Sequence, residues 1–370
     1  MARCESLSST NIDRPEDTTM PIEHFVDETA FECLEAEWAH LHAVSPTATV
    51  FNSPTWCRVW WRHFGEPGRL HVLAVRTEDG ELVGLAPMRI VPPREQATSR
   101  SAVRFLGSDD LCDYLDVLVA PGYEWYVAER LLVLWEHMGC RCELDLHAIP
   151  HTSPTVQAIV ALCGQLGHQV FQEEEDVCPV VPLPPRWEEY LEGLDAKDRR
   201  ELRRKMRKAG RAGLVSWYYV THPAHIAEDL PAFFALHRAS APEKAAFMDA
   251  RREAFFTEMA CALAHHGWVW LAFLLVDGRP AACYLGFDFR DEIQVYNSGL
   301  APSAAARLSP GWVLLGYVIE HAISLGRRRL NFLRGGEAYK YQFGARPEPV
   351  YHLRVTPAAH NSARHASAPT

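Results

Sequence analysis

Between Arg328 and Pro349 the sequence reads RRLNFLRGGEAYKYQFGARPEP. Leu330 and Phe332 suit an extended run, and the pair Gly335-Gly336 ends it. Glu337, Tyr339, Lys340 and Tyr341 then follow within five positions. A carboxylate can take up a proton, a phenol can give one, and an ammonium can stabilise negative charge as it develops. A strand stopped by two glycines can present such groups at one reacting centre.

Upstream, NSGLAPSAAARLSPGWVLLGYVIEHAISLG offers a second chemical feature. Ser309 suits an N-cap, Pro310 the first helical turn, and Gly311 a close approach to the backbone. The start of such a helix suits an anion, phosphate above all, and equally suits a capped helix of the core. Residues 197–211, KDRRELRRKMRKAGR, hold nine Lys/Arg against two acids, +7 in a chain whose net charge is −10. They read either as a solvated helix face, with arginines paired to the acidic connector nearby, or as the footprint of an anionic ligand. CoA phosphates, a nucleotide-sugar, an acidic glycan or lipid headgroups fit that footprint. With no aromatic residues interleaved, a nucleic acid fits least.

These groups need a scaffold, and the pattern supplies one twice. LHVLAVRTEDGELVGLAPMRIV and WVWLAFLLVDGRPAACYLGFDF each place Asp-Gly between extended runs, at Asp79-Gly80 and Asp277-Gly278, as hairpins do. The first is followed by an extended YLDVLVAP, a helical YEWYVAERLLVLWEHMG and an extended CRCELDLHAIP. The second is followed by IQVYNSGLAP, GWVLLGYVIEHAISLG and RRLNFLRG. Gly139 and Gly326 stop the equivalent helices. Two copies of one α/β unit divide near the acidic, then proline-rich EEEDVCPVVPLPPR. The expected boundaries are a tail over 1–20, domains over 21–170 and 171–356, and a second tail over 357–370.

With 370 residues and 48% hydrophobic content, the chain can bury a core large enough for two domains. Its ten cysteines form no CxxC framework and read as reduced thiols, so no metal site is expected. No stretch reaches the roughly 20 apolar residues of a membrane span, and the start of the chain lacks the apolar core of a secretory signal. A cytoplasmic location is the expectation. GxSxG, HExxH and Walker patterns do not occur.

FNSPTWCRVWWRHFG, DRRELRRKMRKAGRAG, FFALHRAS, LSPGWVLLGYVIEHAISLG and LNFLRGGEAYKYQFGA together carry a family resemblance over roughly residues 50 to 355. The chain resembles the GNAT acyltransferases, in particular the tandem-GNAT branch that includes CelD-like proteins and the Fem peptidyltransferases. The resemblance implies an α/β fold class with mixed α+β sheets, two GNAT folds in tandem, and catalysis in the second. It implies donor pyrophosphate at Ser309, Pro310 and Gly311, no permanently bound cofactor, and acetyl-CoA or another acyl-CoA as donor. YKYQFG is similar to a Fem signature, which makes Lys340 the catalytic candidate. Glu337 would take the amine proton, and Tyr339 or Tyr341 would protonate the leaving thiolate. His237, Arg238, Arg334 and Tyr341 are the candidates for substrate binding. Two positions depart from the family, which usually has an acid where Asn331 stands and commonly another at Gly336. The glycine-rich acetyl-CoA loop of single-domain members is absent, as are the long helical arms of Fem enzymes. The implied activity is N-acyl transfer from a CoA thioester to an amine or amino sugar, in cell-envelope or exopolysaccharide synthesis. The alternatives are a Fem-like aminoacyl-tRNA-dependent ligase and a non-catalytic binding protein of a glycan-secretion complex.

Overall fold

The computed structural model describes residues 22–93, 100–107, 110–137, 142–211, 215–301 and 306–358. Contacts divide the chain into two compact units. The first holds the chain up to Pro54, then Gly65–Glu175 and the stretch beginning at Val350; the second holds Thr55–Phe64 and Asp176–Pro349.

The strands in chain order are β1 (Ile22–Phe25), β2 (Leu70–Arg76), β3 (Leu82–Val91), β4 (Ala102–Phe105), β5 (Leu118–Val119), β6 (Glu143–Pro150) and β7 (Gln169–Pro182). They continue with β8 (Val215–Val220), β9 (Val269–Val276), β10 (Arg279–Phe289), β11 (Glu292–Leu300), β12 (Arg329–Asn331) and β13 (Arg346–Thr356). In the first unit the order is β1-β2-β3-β4-β6-β13, in the second β8-β9-β10-β11-β12-β7. Each order has one parallel pair, β4 with β6 and β11 with β12; the other pairings described are antiparallel. In each unit a helix, Glu124–His137 or Pro310–Ser324, precedes the second strand of that pair. These are two GNAT-like folds in tandem. The sixth strand of each sheet comes from the other copy in sequence: β13 completes the first sheet, and β7 the second.

The local signals explain most elements. Asp277 and Gly278 both adopt left-handed φ, +52° and +73°, at the β9–β10 turn, as a two-residue hairpin requires. Gly326 (φ +73°) ends the helix Pro310–Ser324, with Arg327 N bonded back to Ala322 O at 3.0 Å. Gly139 lies outside the described residues. That helix buries Val313, Leu314, Leu315, Val318 and Ile319 in one core with Trp270, Ala272, Tyr284 and Val295 of its sheet. Each such side chain contributes about 1.5–3 kcal/mol.

One expectation fails. YLDVLVAP does not form a continuous counterpart of β11. Its place along β3 is shared by β4, opposite Met88–Val91, and the two-residue β5, opposite Gly84 and Leu85. The carbonyls of Tyr114, Asp116 and Val117 accept instead from the side chains of Thr49, Asn52 and Thr47. Those acceptors are thus spent outside the ladder. Among the described residues no helix is long and apolar enough to cross a membrane. Seven described cysteines carry free thiols, whereas Cys142 is disulfide-bonded.

Packing around β10 sets a test. A Cβ at Gly286, where the β10–β11 register shifts, would lie 2.0 Å from Gln294 O and 2.4 Å from the Trp270 ring. Gly286→Ala is expected to cost about 3 kcal/mol in urea unfolding. Gly164→Ala, in a helix with open space around it, is expected to gain about 0.5–1 kcal/mol.

Candidate active site

The opening stretch of sequence lies where two parallel strands part. β11 and β12 are paired only across Glu292–Gln294 and Arg329–Asn331. Beyond that point β11 stays with β10 as far as Leu300, opposite Ala282. The chain after Asn331 follows β7 instead: Phe332 N bonds Pro179 O at 2.9 Å, and Gly335 N bonds Val177 O at 3.0 Å. Leu333 (φ +54°) and Gly335 (φ +106°) take left-handed conformations in this turn, which makes Gly335 the glycine the backbone needs. Gly336 has no such φ, and a Cβ there would meet Val177 Cγ2 at 3.3 Å.

Asn331 is buried and uses both ends of its carboxamide. Its Oδ1 accepts from Leu333 N at 2.8 Å, and its Nδ2 donates to Glu292 Oε1 at 3.0 Å. An acid here would lose the donor and set a second carboxylate against Glu292.

Lys340 is 3% exposed. Its ammonium donates to Gly335 O at 2.7 Å, Arg334 O at 3.1 Å and Phe332 O at 3.4 Å, and pairs with Glu337 Oε2 at 2.8 Å. The predicted catalytic lysine thus ties down the loop that turns away from β11. Burial would raise the Glu337 carboxyl, but the Lys340 hydrogen bond and the charges of Lys340 and Lys244 bring it below its ordinary value.

Tyr339 lies partly buried, edge-on to Phe332, and burial together with the Glu337 charge pushes its phenol up to about 12. Phe343, just after it, packs against Trp312 of the helix start with ring centroids 4.5 Å apart. The Tyr284 hydroxyl donates to Gly311 O at 3.2 Å. Loop and helix start are therefore neighbours. Tyr341 is 37% exposed, with its hydroxyl 3.5 Å from where a Cβ at Gly336 would stand. At the helix start Ser309 adopts a left-handed φ of +52° and makes no side-chain cap, contrary to expectation; its carbonyl accepts from Val313 N instead. Pro310 is buried, and Gly311 leaves room for Leu300, whose Cδ2 would be 2.8 Å from a Cβ.

The basic run forms the helix Ala196–Arg211, which packs Leu202 and Met206 against Gly316. Lys205 Nζ lies 4.0 Å from the centre of the Trp312 ring, and Lys208 Nζ donates to Arg307 O at 2.7 Å. The cationic face thus adjoins the first turn of Pro310–Ser324. A cleft of about 460 Å³ there is lined by Lys197, Arg200, Arg204, Lys205, Trp312 and Gln342, among others. The connector acids pair with other residues: Glu173 with His352, Glu175 with His147, Asp176 with Arg334.

His237 is buried beside β11. Its Nδ1 donates to Ser298 O at 3.0 Å, because a carbonyl only accepts, and its Nε2 lacks a hydrogen-bond partner. Burial, with help from the Lys244 charge, brings its imidazole down to about 4. Arg238 is spent on Met248 O and Glu253. Arg334 pairs with Asp176 at 3.6 Å. Lys244 was not anticipated: its Nζ donates to Ser298 O at 2.8 Å and Ser298 Oγ at 2.9 Å. Burial lowers its ammonium, opposed by the charges of Glu337 and Glu243. A solitary lysine in PEKAAF gives no local signal of this.

Residues 196–341 match the acetyltransferase (GNAT) domain family. No curated protein matches the chain. The fold is similar to that of FemX, with a TM-score of 0.60 at 10% identity over 89% of this chain and 96% of that one. It is also similar to the C-terminal domain of a putative lysylphosphatidylglycerol synthetase from Agrobacterium fabrum (TM-score 0.52, 14% identity, 87% and 93% covered). L-PGS from Bacillus licheniformis gives a TM-score of 0.52 at 13% identity, with 90% and 94% covered. Residues 196–341 thus belong to the acetyltransferase (GNAT) domain family, in a chain of GNAT-like fold. The two-unit fold is the one shared with FemX.

Three outcomes follow from the site. Lys340→Met leaves three carbonyls without their donor and is expected to cost about 3 kcal/mol in chemical unfolding. Asn331→Asp should cost about 1–3 kcal/mol by the same measurement. His237 is lower in the folded protein than its usual 6.5, so the unfolded chain binds more protons between pH 6.5 and 4. Stability should fall as pH drops through that window, and less steeply in a folded His237→Gln variant.

Proposed function

We propose that this protein is an N-acyltransferase that moves an acyl group from a CoA thioester to an amine acceptor such as an amino sugar, in cell-envelope or exopolysaccharide synthesis. The observation that carries the reading is the parting of β11 from β12 beside a helix start flanked by Lys205 and Lys208. An acyl-pantetheine arm can lie along β11 where it parts from β12, with its pyrophosphate at Gly311. In this reading the domain over 171–356 is the catalytic one, and 21–170 a GNAT-like partner domain.

The amine nitrogen attacks the thioester carbonyl, the C–S bond breaks, and the products are an amide and free CoA thiol. Glu337, ionised at neutral pH, receives the proton of the attacking amine. Tyr339, held protonated by its raised value, supplies the proton to the leaving thiolate. Lys340 acts as a positioning residue that fixes both. His237 and Lys244 line the acceptor side along Ser298. In this reading Arg238, Arg334 and Tyr341 support the substrate pocket from its margins. The exposed basic helix also suits an aminoacyl-tRNA donor, so a direct comparison of donors is the test. Acyl transfer from acetyl-CoA or a longer acyl-CoA supports the thioester reading; transfer that requires charged tRNA replaces it.

Tyr339→Phe should lower kcat about 10²-fold with the donor KM little changed. Gly311→Trp, combined with Leu300→Ala to relieve the contact, should keep the fold and weaken donor binding at least about 10-fold by calorimetry. Unchanged affinity would remove this helix start from the donor site.

A further inference from the structure

The first unit contains a cluster that acyl transfer does not use. Asp145 and His147 stand two residues apart on one face of β6, and His352 lies on the adjacent β13. Asp145 Oδ1 is 2.6 Å from His352 Nε2 and 3.3 Å from His147 Nε2. The two imidazoles stack with centroids 4.0 Å apart and an 11° angle between planes. Their outer nitrogens each face a carboxylate, His147 Nδ1 with Glu175 Oε1 at 3.1 Å and His352 Nδ1 with Glu173 Oε1 at 3.3 Å. Arg104 Nε holds Asp145 Oδ2 at 2.7 Å, and Arg354 Nε stands 3.9 Å from Oδ1.

A carboxylate only accepts hydrogen bonds, so a ring nitrogen beside one can donate to it, Nδ1 toward Glu175 or Glu173 and Nε2 toward Asp145, as His352 Nε2 does at 2.6 Å. When the proton of a neutral ring sits on Nδ1, the lone pair is on Nε2. Both lone pairs face Asp145 Oδ1, and the three ligand atoms lie within 4.8 Å of one another. In that tautomer three acceptors converge, and one cation can replace the proton that His352 Nε2 otherwise gives to Asp145. Protonating both rings would stack two like charges at 4.0 Å. One divalent cation satisfies all three atoms.

We propose that Asp145, His147 and His352 form a binding site for a divalent transition ion of the Zn²⁺ class. Two imidazole nitrogens and one carboxylate oxygen are a donor set for such an ion, whereas Mg²⁺ and Ca²⁺ prefer oxygen alone. The carboxylates behind both imidazoles can accept from Nδ1 in the tautomer that ligation needs. Asp145, Glu173 and Glu175 against Arg104 and Arg354 leave the surroundings at −1, which favours a cation. Glu173, with its side chain 51% exposed, marks the side open to solvent, from which an ion enters and water completes its coordination. The ion would tie β13 to β6.

The test uses untagged full-length protein, stripped with chelator and desalted. One equivalent of Zn²⁺ should bind by calorimetry, more weakly as pH falls from 7.5 to 5.5 because protons compete for the imidazoles. Saturating Zn²⁺ should raise Tm by about 5 °C or more, and Mg²⁺ should not. Asp145→Asn is the decisive variant. Its carboxamide can keep Oδ1 on Arg104 and turn N–H toward the imidazole lone pairs, so it should fold without metal and bind Zn²⁺ at least about 10²-fold more weakly. His352→Gln should behave likewise if it folds. Wild-type protein that binds no Zn²⁺, or an Asp145→Asn variant that binds it as tightly as wild type, would overturn the proposal.

Discussion

The candidate site depends on one buried ammonium. Removing Lys340 from water costs several kcal/mol unless its donors are matched, and here four oxygens surround it. Three are carbonyls of the turn that leads the chain away from β11. Tyr339 and Glu337 occur on the same short helical stretch, Ala338–Tyr341 and its cap, which at four residues has little stability of its own. Their positions thus follow from where Lys340 is anchored. The same constraint explains Asn331: a carboxamide satisfies Glu292 and Leu333 N together, and an acid cannot.

The two units share a strand order yet differ where chemistry would occur. In the second, β11 runs on past its parallel partner to Leu300, where side chains of His237, Lys244 and Ser240 meet it at Ser298 and Leu300. In the first, β4 and β5 divide that path, and side chains of Thr47, Thr49 and Asn52 take the carbonyls between them. The duplicated scaffold thus has one long continuous strand at this place and one divided one. The exchange of β7 and β13 adds a second consequence: each sheet needs a strand from the other copy. A chain divided near residue 170 would separate β13 from the first sheet and leave β6 there as an unpaired edge strand.

Much of this was legible in the sequence. Asp277-Gly278 specified a left-handed turn, Pro310 and Gly326 bracketed a helix, and the apolar run between them marked it as buried. The repeated order of hairpin, helix and strand announced two copies. YLDVLVAP misled because its apolar residues pack as a loop, and alternation cannot distinguish a loop buried on all sides from a strand. Ser309 misled as a cap because its backbone is left-handed, which turns the hydroxyl away from the free amides.

The sequence alone therefore determined the elements, their order and the chemical character of the segment after β12. Periodicity and turn chemistry act over a few residues and are written locally. Tertiary structure decided which groups meet. It turned Lys340 into its own loop, brought Lys244 to Ser298 and within reach of Glu337, and set His352 against Asp145, 207 positions away. These meetings depend on strand pairing and on the exchange of β7 and β13, and pairing between distant strands is settled by burial of the whole core rather than by any local run of residues.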